Sequence, residues 1–214
     1  MKIYTYYEDI NFHKQEELLS LWRKGWNDMG FQTGILSLND AKQSSYYDEF
    51  LENLKDIHKF ITGNQLGKYG SSCYMRWLAY STQDESYPFL VSDYDIINKN
   101  FRTDDFKETS NELCFLDGFC PCFCYGTKEQ YLNFCKDIIY YSNQYKDEIK
   151  KEYEIRKFRH YHDQEFLALN NKKYQHKILK PRTYVSFYEH GNSNMNDCKL
   201  FHFAHRSIGE AKIK

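Results

Sequence analysis

The sequence lacks an excess of charge of either sign. Its 214 residues include 29 lysines and arginines and 30 aspartates and glutamates, and the two kinds are mixed along the chain. Proteins that bind nucleic acid, or that attach to anionic membranes, usually concentrate positive charge on one face or segment. We therefore expect no nucleic acid partner and no polybasic membrane anchor.

Long apolar runs are also missing. No stretch approaches the roughly 20 apolar residues of a membrane-spanning helix. The segment from Met1 to Tyr7 lacks the apolar core of a secretory signal. The seven cysteines are an odd number, and without an export signal the thiols are expected to be reduced. These features predict a cytoplasmic protein with no transmembrane segment.

Proline is scarce, and the common nucleotide and hydrolase motifs are absent. Only three prolines occur, which argues against long disordered linkers. The sequence contains no G-x-G-x-x-G, Walker loop, G-x-S-x-G or H-E-x-x-H. Cys120, Cys122 and Cys124 alternate along a strand-like stretch, which predicts three thiols on one face. We interpret them as small buried side chains, because structural zinc sites need a second ligand pair.

Strands and helices alternate along the first half of the chain. Residues 2–7 and 31–38 are predicted to be strands. Between them lies a predicted helix at 14–29, capped by Asn11, with a one-sided apolar stripe and a stop at Gly30. Such a unit usually has parallel strands and a right-handed crossover. The alternation predicts an α/β domain.

Further elements follow from apolar spacing and from capping residues. They are a helix at 46–61, a helix capped by Ser71 or Ser72, strands at 88–91, 112–115, 119–125 and 199–203, a helix capped by Thr127, a charged and mostly solvated stretch at 146–159, and a helical turn at 163–169.

Asp93 and Asp95 follow the short apolar run at 88–91, where the predicted strand leaves the core. Positions two apart on a strand point to the same side, so both carboxylates could approach one cation. Mg²⁺ and Mn²⁺ prefer oxygen ligands and often take only one or two carboxylates, with substrate phosphates completing the shell. A bare Asp-x-Asp also occurs in polar turns, and that alternative stays open.

The order of these elements resembles the GT-A class of nucleotide-sugar-dependent glycosyltransferases. In that class a helix carrying a basic residue precedes a strand that ends in Asp-x-Asp, as Arg76 here precedes Asp93-Tyr94-Asp95. The order of helices and strands resembles that class over most of the chain, whereas a sequence motif of the class matches only in this region. It implies a three-layer α/β/α sandwich with a mixed, mostly parallel sheet. It also implies one domain over 1–214, with a nucleotide-sugar-binding half at about 1–100 and an acceptor-binding half at about 101–214.

The resemblance implies transfer of a sugar from a nucleotide-diphosphate sugar, such as a UDP sugar, to a hydroxyl of a glycan or other acceptor. Mn²⁺ or Mg²⁺ would bridge the donor phosphates. Asp95 would ligate the ion directly, and Asp93 would contact the ribose or metal-bound water as well as the ion. Many members add a late histidine to the metal shell, which His202 or His205 matches here.

The same resemblance assigns the donor contacts. Thr5, Tyr6 and Tyr7 would hold the base, Asp40 would accept hydrogen bonds from the nucleoside, and Arg76 would face the phosphates or the sugar. Three of them have a structural alternative: Tyr6 in core packing, Asp40 as a helix cap and Arg76 as a solvated or salt-bridged residue.

The acceptor side requires a general base if the enzyme inverts configuration. Asp163 and Glu165 are the candidates by position in the chain. Asp163 is the favoured one, because Glu165 would lie in the first turn of a helix and complement its dipole. Asp163 could equally cap that turn.

Two other functions compete with the glycosyltransferase. One is another metal-dependent nucleotide enzyme, a nucleotidyltransferase or phosphohydrolase. Related nucleotidyltransferases have a glycine-rich loop after the first strand, and Tyr6-Tyr7-Glu8-Asp9 contains no glycine. The other is a non-catalytic nucleotide-sugar-binding module with the same fold.

Overall fold

The computed structural model describes residues 1–11, 14–106, 112–116, 121–157, 160–170, 185–187 and 199–203, with the backbone alone for 185–187. Within these ranges the chain forms seven α-helices, a short 3-10 helix and two β-sheets. None of the helices in these ranges is long and apolar enough to cross a membrane. Two residues singled out in the sequence, Cys120 and His205, lie outside the described part.

The strands in chain order are β1 (Lys2–Tyr6), β2 (Gln32–Leu36), β3 (Phe89–Ser92), β4 (Ile96–Asn98), β5 (Cys114–Phe115), β6 (Phe123–Gly126), β7 (Val185–Phe187) and β8 (Leu200–His202). The helices are α1 (Gln15–Asp28), α2 (Leu38–Ala41), α3 (Tyr47–Thr62), α4 (Lys68–Ser81), α5 (Lys128–Gln144), α6 (Lys146–Arg156) and α7 (Asp163–Leu169), and the 3-10 helix is Thr103–Asp105.

The larger sheet has the strand order β2-β1-β3-β6-β5. The pairings of β1 with β2 and with β3 are parallel, whereas β6 runs antiparallel to both β3 and β5. Four of the five strands therefore point the same way, which confirms a mixed α/β fold. The predicted β-α-β unit is present, with α1 connecting the parallel strands β1 and β2.

A second, smaller sheet was not predicted. It has the order β4-β8-β7, with β4 antiparallel and β7 parallel to β8. Because β4 follows β3 after only a turn and β8 comes from near the C-terminal end of the chain, this sheet joins the two predicted halves. The larger sheet joins them too, since β6 pairs with β3.

Two apolar clusters lie on opposite faces of the larger sheet, because neighbouring residues of β3 alternate between them. Phe89 and Val91 belong to a cluster shared with α3, α4 and α5, and Leu90 belongs to one shared with α1 and the smaller sheet. The second cluster contains Trp22 and Trp26, which are fully buried. Helices therefore cover one face, and one helix with a small sheet covers the other.

Several helix ends follow from local chemistry. The Thr127 hydroxyl accepts a hydrogen bond from the Gln130 N–H at 3.2 Å, so the predicted cap of α5 is confirmed. Gly30 has a φ of 87°, the left-handed conformation that ends a helix at low cost. The predicted cap Asn11 is wrong, because α1 begins after Lys14. The predicted cap at Ser71 or Ser72 is also wrong, because both serines lie inside α4, which begins after Gly67.

Gly25 allows α1 to approach β4 closely. A Cβ atom at this position would lie 2.8 Å from the carbonyl oxygen of Asn98, a backbone atom that cannot rotate away. The tryptophan one residue further along α1 uses this proximity, because Trp26 Nε1 donates to the Ile96 carbonyl at 3.2 Å. The smaller sheet is thereby held against α1.

The cysteine prediction is partly wrong. Cys122 and Cys124 are both buried, as expected of small apolar side chains. They belong to different clusters, however, with Cys122 on the α1 side and Cys124 on the α4 side. The alternation fails because β6 begins at Phe123, so Cys122 precedes the strand.

Candidate functional site

Asp93 and Asp95 lie in the turn between β3 and β4. The Asp93 N–H donates to the Cys122 carbonyl at 2.8 Å, so the antiparallel pairing of β3 with β6 continues one residue beyond the two strands. The Ile96 N–H donates back to the Asp93 carbonyl at 3.0 Å and closes the turn. Both aspartates thus occupy the C-terminal edge of the parallel strands, where open α/β sheets bind ligands.

His202 reaches the same point from the end of β8. In the antiparallel β4–β8 ladder His202 is opposite Ile96, and the Phe203 N–H donates to the Asp95 carbonyl at 2.8 Å. The imidazole Nε2 lies 3.3 Å from Asp95 Oδ1. A strand from near the C-terminal end of the chain therefore brings a histidine to the Asp-x-Asp turn.

The three side chains form a possible cation site. One ligand atom from each of Asp93, Asp95 and His202 lies within 4.8 Å of the other two. The Asp93 side chain is 30% exposed, whereas that of Asp95 is 5% and that of His202 is 12% exposed. The two carboxylates suit Mn²⁺ or Mg²⁺, the imidazole favours the transition metal Mn²⁺ over Mg²⁺, and Asp93 provides the open side.

Arg76 lies next to this cluster. It is on α4, its side chain is only 11% exposed, and its Nη1 donates to Asp93 Oδ1. Its Nε donates to Asp163 Oδ2 at 2.9 Å, and Nη2 donates to the same oxygen. Arg76 is thus a buried bridge between two carboxylates, which matches the salt-bridged form of the structural alternative and not the solvated one.

Asp163 is enclosed by donors. It is 1% exposed, and its Oδ2 also accepts a hydrogen bond from Trp77 Nε1 at 2.8 Å. Its Oδ1 lies 3.4 Å from His162 Nδ1. An acceptor hydroxyl has no access to such a carboxylate, so this geometry favours a structural charge over the predicted base.

The carboxylates of Asp93 and Asp163 differ in how readily they bind a proton. Burial raises the pKa of Asp93 to about 6, against the influence of Arg76 and with a further rise from Asp95. Burial also opposes ionisation of Asp163, but Arg76 and His162 outweigh it and hold the pKa of Asp163 below its usual value. Asp163 therefore stays ionised at neutral pH.

Glu165 completes the cap of α7. Its Oε2 accepts the His162 backbone N–H at 3.0 Å and also lies 3.0 Å from the His162 Nδ1. This matches the expectation that Glu165 lies in the first helical turn. Its side chain keeps 16% exposure, and burial raises its pKa, so Glu165 is the more accessible and more basic of the two predicted bases.

The predicted base-binding residues lie at the end of β1 but do not share one surface. Thr5 is fully buried, and Tyr6 is 7% exposed in the cluster beside α3 and α4. Tyr7 packs edge-on against Tyr94, with ring centroids 5.8 Å apart, beside the Asp-x-Asp turn. Of the three, Tyr7 is the best placed to meet a ligand.

Asp40 is engaged in a helix cap. Its Oδ2 accepts hydrogen bonds from the Ser37 N–H at 2.7 Å and the Ser37 hydroxyl at 2.8 Å. This is the alternative that the sequence offered, although the helix capped is α2, which contains Asp40 itself.

Sequence reasoning missed a polar group at the same edge of the sheet. Glu8 Oε2 accepts hydrogen bonds from the Ser72 hydroxyl at 2.8 Å and the Tyr6 hydroxyl at 3.0 Å. Lys68, at the start of α4, donates to the Asp9 carbonyl. The sequence signal for this group is the acidic pair Glu8-Asp9, which follows β1 after Tyr7.

A second group of potential ligands adjoins Arg76. Atoms of Cys73, His162 and Asp163 lie within 4.8 Å of one another. Asp163 is already paired with the Arg76 guanidinium, and burial raises the pKa of the Cys73 thiol well above its usual value. A carboxylate oxygen already engaged by three donors and a protonated thiol disfavour a cation, so we do not assign a metal here.

Comparison with known proteins gives no family for this chain. No protein-family model matches the sequence, and no curated protein matches it either.

Proposed function

We propose that this protein is a metal-dependent glycosyltransferase of the GT-A type, which transfers a sugar from a nucleotide-diphosphate sugar to an acceptor hydroxyl. The observation that supports it most directly is the convergence of Asp93, Asp95 and His202 within 4.8 Å at the C-terminal edge of β3. The sequence resemblance places Asp93, Asp95 and either His202 or His205 in a single site.

The residues fit the ion that this class requires. Asp95 and His202 form the enclosed side of the cluster, and Asp93 is the partly open one. A divalent ion held there would neutralise charge on the donor diphosphate as the leaving group departs. Its shell would be completed by phosphate oxygens on the Asp93 side.

Other residues supply the remaining functions. Arg76 places a permanent positive charge beside Asp93, suited to the diphosphate or the sugar. Tyr7, beside Tyr94 at the end of β1, offers an aromatic face to the base. Glu165 takes the role of general base in preference to Asp163, because Asp163 is enclosed.

The site also admits the two alternatives. A nucleotidyltransferase or phosphohydrolase would use the same carboxylates and ion on a nucleotide without a sugar acceptor. A non-catalytic module would bind the nucleotide sugar and release it unchanged. These functions differ in which ligand binds and in whether it is consumed.

A thermal-shift screen separates them. Nucleotide sugars and free nucleotides are added to the protein with and without Mn²⁺. At a ligand concentration of about 100 Kd, we expect the preferred donor to raise Tm by about 5–10 °C, and only with the metal. Chromatography of the mixture then shows whether the donor is hydrolysed or transferred to added glycans.

Two variants make the screen specific. Asp95→Asn should remove the Mn²⁺-dependent shift, and Asp84→Asn, an exposed aspartate near Lys128, should retain it. A shift that survives in Asp95→Asn contradicts the metal site. A shift with free nucleotides alone favours the nucleotide enzyme, and binding without turnover favours the module.

A further inference from the structure

Asp163 and Asp93 share one guanidinium group. Arg76 donates to Asp163 through Nε and Nη2, and to Asp93 through Nη1. Asp163 is 1% exposed, whereas the Asp93 side chain is 30% exposed at the edge of the candidate metal site. The two carboxylates therefore compete for one positive charge, and the buried one holds two of the three contacts.

The direction of Nη1 is set from the Asp163 side. A guanidinium is planar, so fixing Nε and Nη2 on one oxygen also fixes where Nη1 points. Trp77 strengthens this restraint, because its Nε1 donates to the same oxygen and its ring centroid lies 5.1 Å from the Arg76 guanidinium carbon. Asp93 thus receives a donor that other residues have already oriented.

We propose that Asp163 is a positioning residue that acts through Arg76 to keep Asp93 available for a divalent cation. With Asp163 in place, the guanidinium gives Asp93 one N–H and cannot turn toward it fully. Without the Asp163 charge, Arg76 is released to form a two-pronged pair with Asp93, which then competes with the cation. This inference rests on the proposed function, since it takes Asp93 as a ligand.

A double-mutant cycle tests whether Asp163 acts through Arg76. Mn²⁺ is titrated calorimetrically into the wild type, Asp163→Asn, Arg76→Gln and the double variant, each first shown to be folded by circular dichroism. We expect Asp163→Asn to raise the Kd for Mn²⁺ by about three- to tenfold with Arg76 present and to leave it unchanged with Gln at that position.

The cycle has outcomes that overturn the proposal. An equal loss of affinity in both backgrounds means that Asp163 acts by its own charge. No loss in either background means that it has no part in the metal site. Glu85→Gln is the matched control, because Glu85 also accepts hydrogen bonds from a cation, Lys2, and from the Tyr4 hydroxyl, but lies near the start of β1. We expect the Kd of this variant for Mn²⁺ to equal that of the wild type. If Arg76→Gln does not fold, Arg76→Lys takes its place in the cycle.

A second measurement needs no metal. In ¹⁵N NMR spectra the Arg76 Nε–H should exchange slowly with water in the wild type and rapidly in Asp163→Asn. An Nε–H that stays protected in Asp163→Asn overturns the proposed restraint. If the wild type does not bind Mn²⁺, the proposed function and the coupling to the cation both fail, while the exchange rate still decides whether Asp163 orients Arg76.

Discussion

His202 Nε2 lies 3.3 Å from Asp95 Oδ1, and the backbone holds the two residues in this position. The Phe203 N–H donates to the Asp95 carbonyl, one step beyond the pairing of Ile96 with His202. The contact between imidazole and carboxylate is therefore a consequence of strand register. A one-residue slip of β8 would turn the imidazole to the other face of the small sheet.

His202→Asn should weaken Mn²⁺ binding. Loss of residues that merely support a metal ligand costs about 10- to 100-fold in affinity, so loss of a ligand should cost at least about tenfold. Calorimetric titration of Mn²⁺ measures the change. His160→Asn, at an exposed histidine, is the control, and equal affinities for the two variants would remove His202 from the site.

Arg76→Ala should destabilise the protein strongly. It leaves the carboxylate of Asp163, which is 1% exposed, without its guanidinium, and breaking a buried ion pair from one side costs about 3–5 kcal/mol. Urea denaturation gives the change in the free energy of unfolding. Arg156→Ala removes an exposed pair with Glu152 and should cost less than about 1 kcal/mol. A loss in Arg76→Ala no greater than in this control would contradict the buried pair.

The stabilisation by Asp163 should depend on pH with a defined sign. Its folded pKa is lowered below that of the unfolded chain, about 3.9, because Arg76 and His162 outweigh burial. Its contribution is thus complete above about pH 5 and is lost as pH falls through the folded value. The difference in unfolding free energy between the wild type and Asp163→Asn should be constant from about pH 5 to 6 and shrink toward pH 3. If the difference in unfolding free energy grew as pH falls, it would contradict a lowered pKa of Asp163.

Glu165→Gln should slow sugar transfer without weakening donor binding. Glutamine can still accept the His162 N–H, as Glu165 does at 3.0 Å, so α7 keeps its cap. It cannot take a proton, and loss of a general base typically costs about 10²–10⁴ in rate. Steady-state kinetics with the donor found in the screen gives kcat and KM separately. Normal kcat in this variant would place the base elsewhere or indicate a retaining mechanism.

Gly25→Ala should destabilise the protein despite the higher helix propensity of alanine. The added methyl group would meet the Asn98 carbonyl oxygen at 2.8 Å and push α1 away from β4, and overpacking of this kind costs about 1–3 kcal/mol. Gly70→Ala, inside α4, where the added methyl group meets only the end of the flexible Leu66 side chain, is the control for thermal denaturation. Equal Tm values for the two variants would show that α1 shifts without strain.

The sequence predicted elements whose signal is local. α1 and α3 have one-sided apolar spacing, β1 has residues that favour extended structure, and β3 is a short apolar run, so their predicted bounds differ from the observed ones by at most one residue at each end. The capping residue Thr127 predicted where α5 begins. The smaller sheet was missed because β4 and β7 are three residues long and depend on partners distant in the chain. The charged stretch at 146–159 showed too little apolar periodicity to be predicted as a helix, yet most of it forms α6.

The residues of the candidate site can likewise be divided into those that have a local sequence signal and those that do not. Asp93, Asp95 and Arg76 could be selected from the sequence because the strand end and the preceding helix are local features. The role of Asp163 could not, because its partners Arg76 and Trp77 are distant in sequence and only the packing of α4 against the start of α7 brings them together. Asp163, which the sequence favoured as the base, is therefore more enclosed than Glu165.

A cation bound by Asp95 and His202 would link two distant parts of the chain. Asp95 precedes β4 and His202 ends β8, so an ion held by both would close a loop containing most of the second half of the chain. Closing a long loop removes conformational entropy from the unfolded chain, much as a covalent cross-link does. The ion would then strengthen the attachment of β8 to β4. Removal of the ion by a chelator should expose β8 to proteases before the parallel strands of the larger sheet are affected.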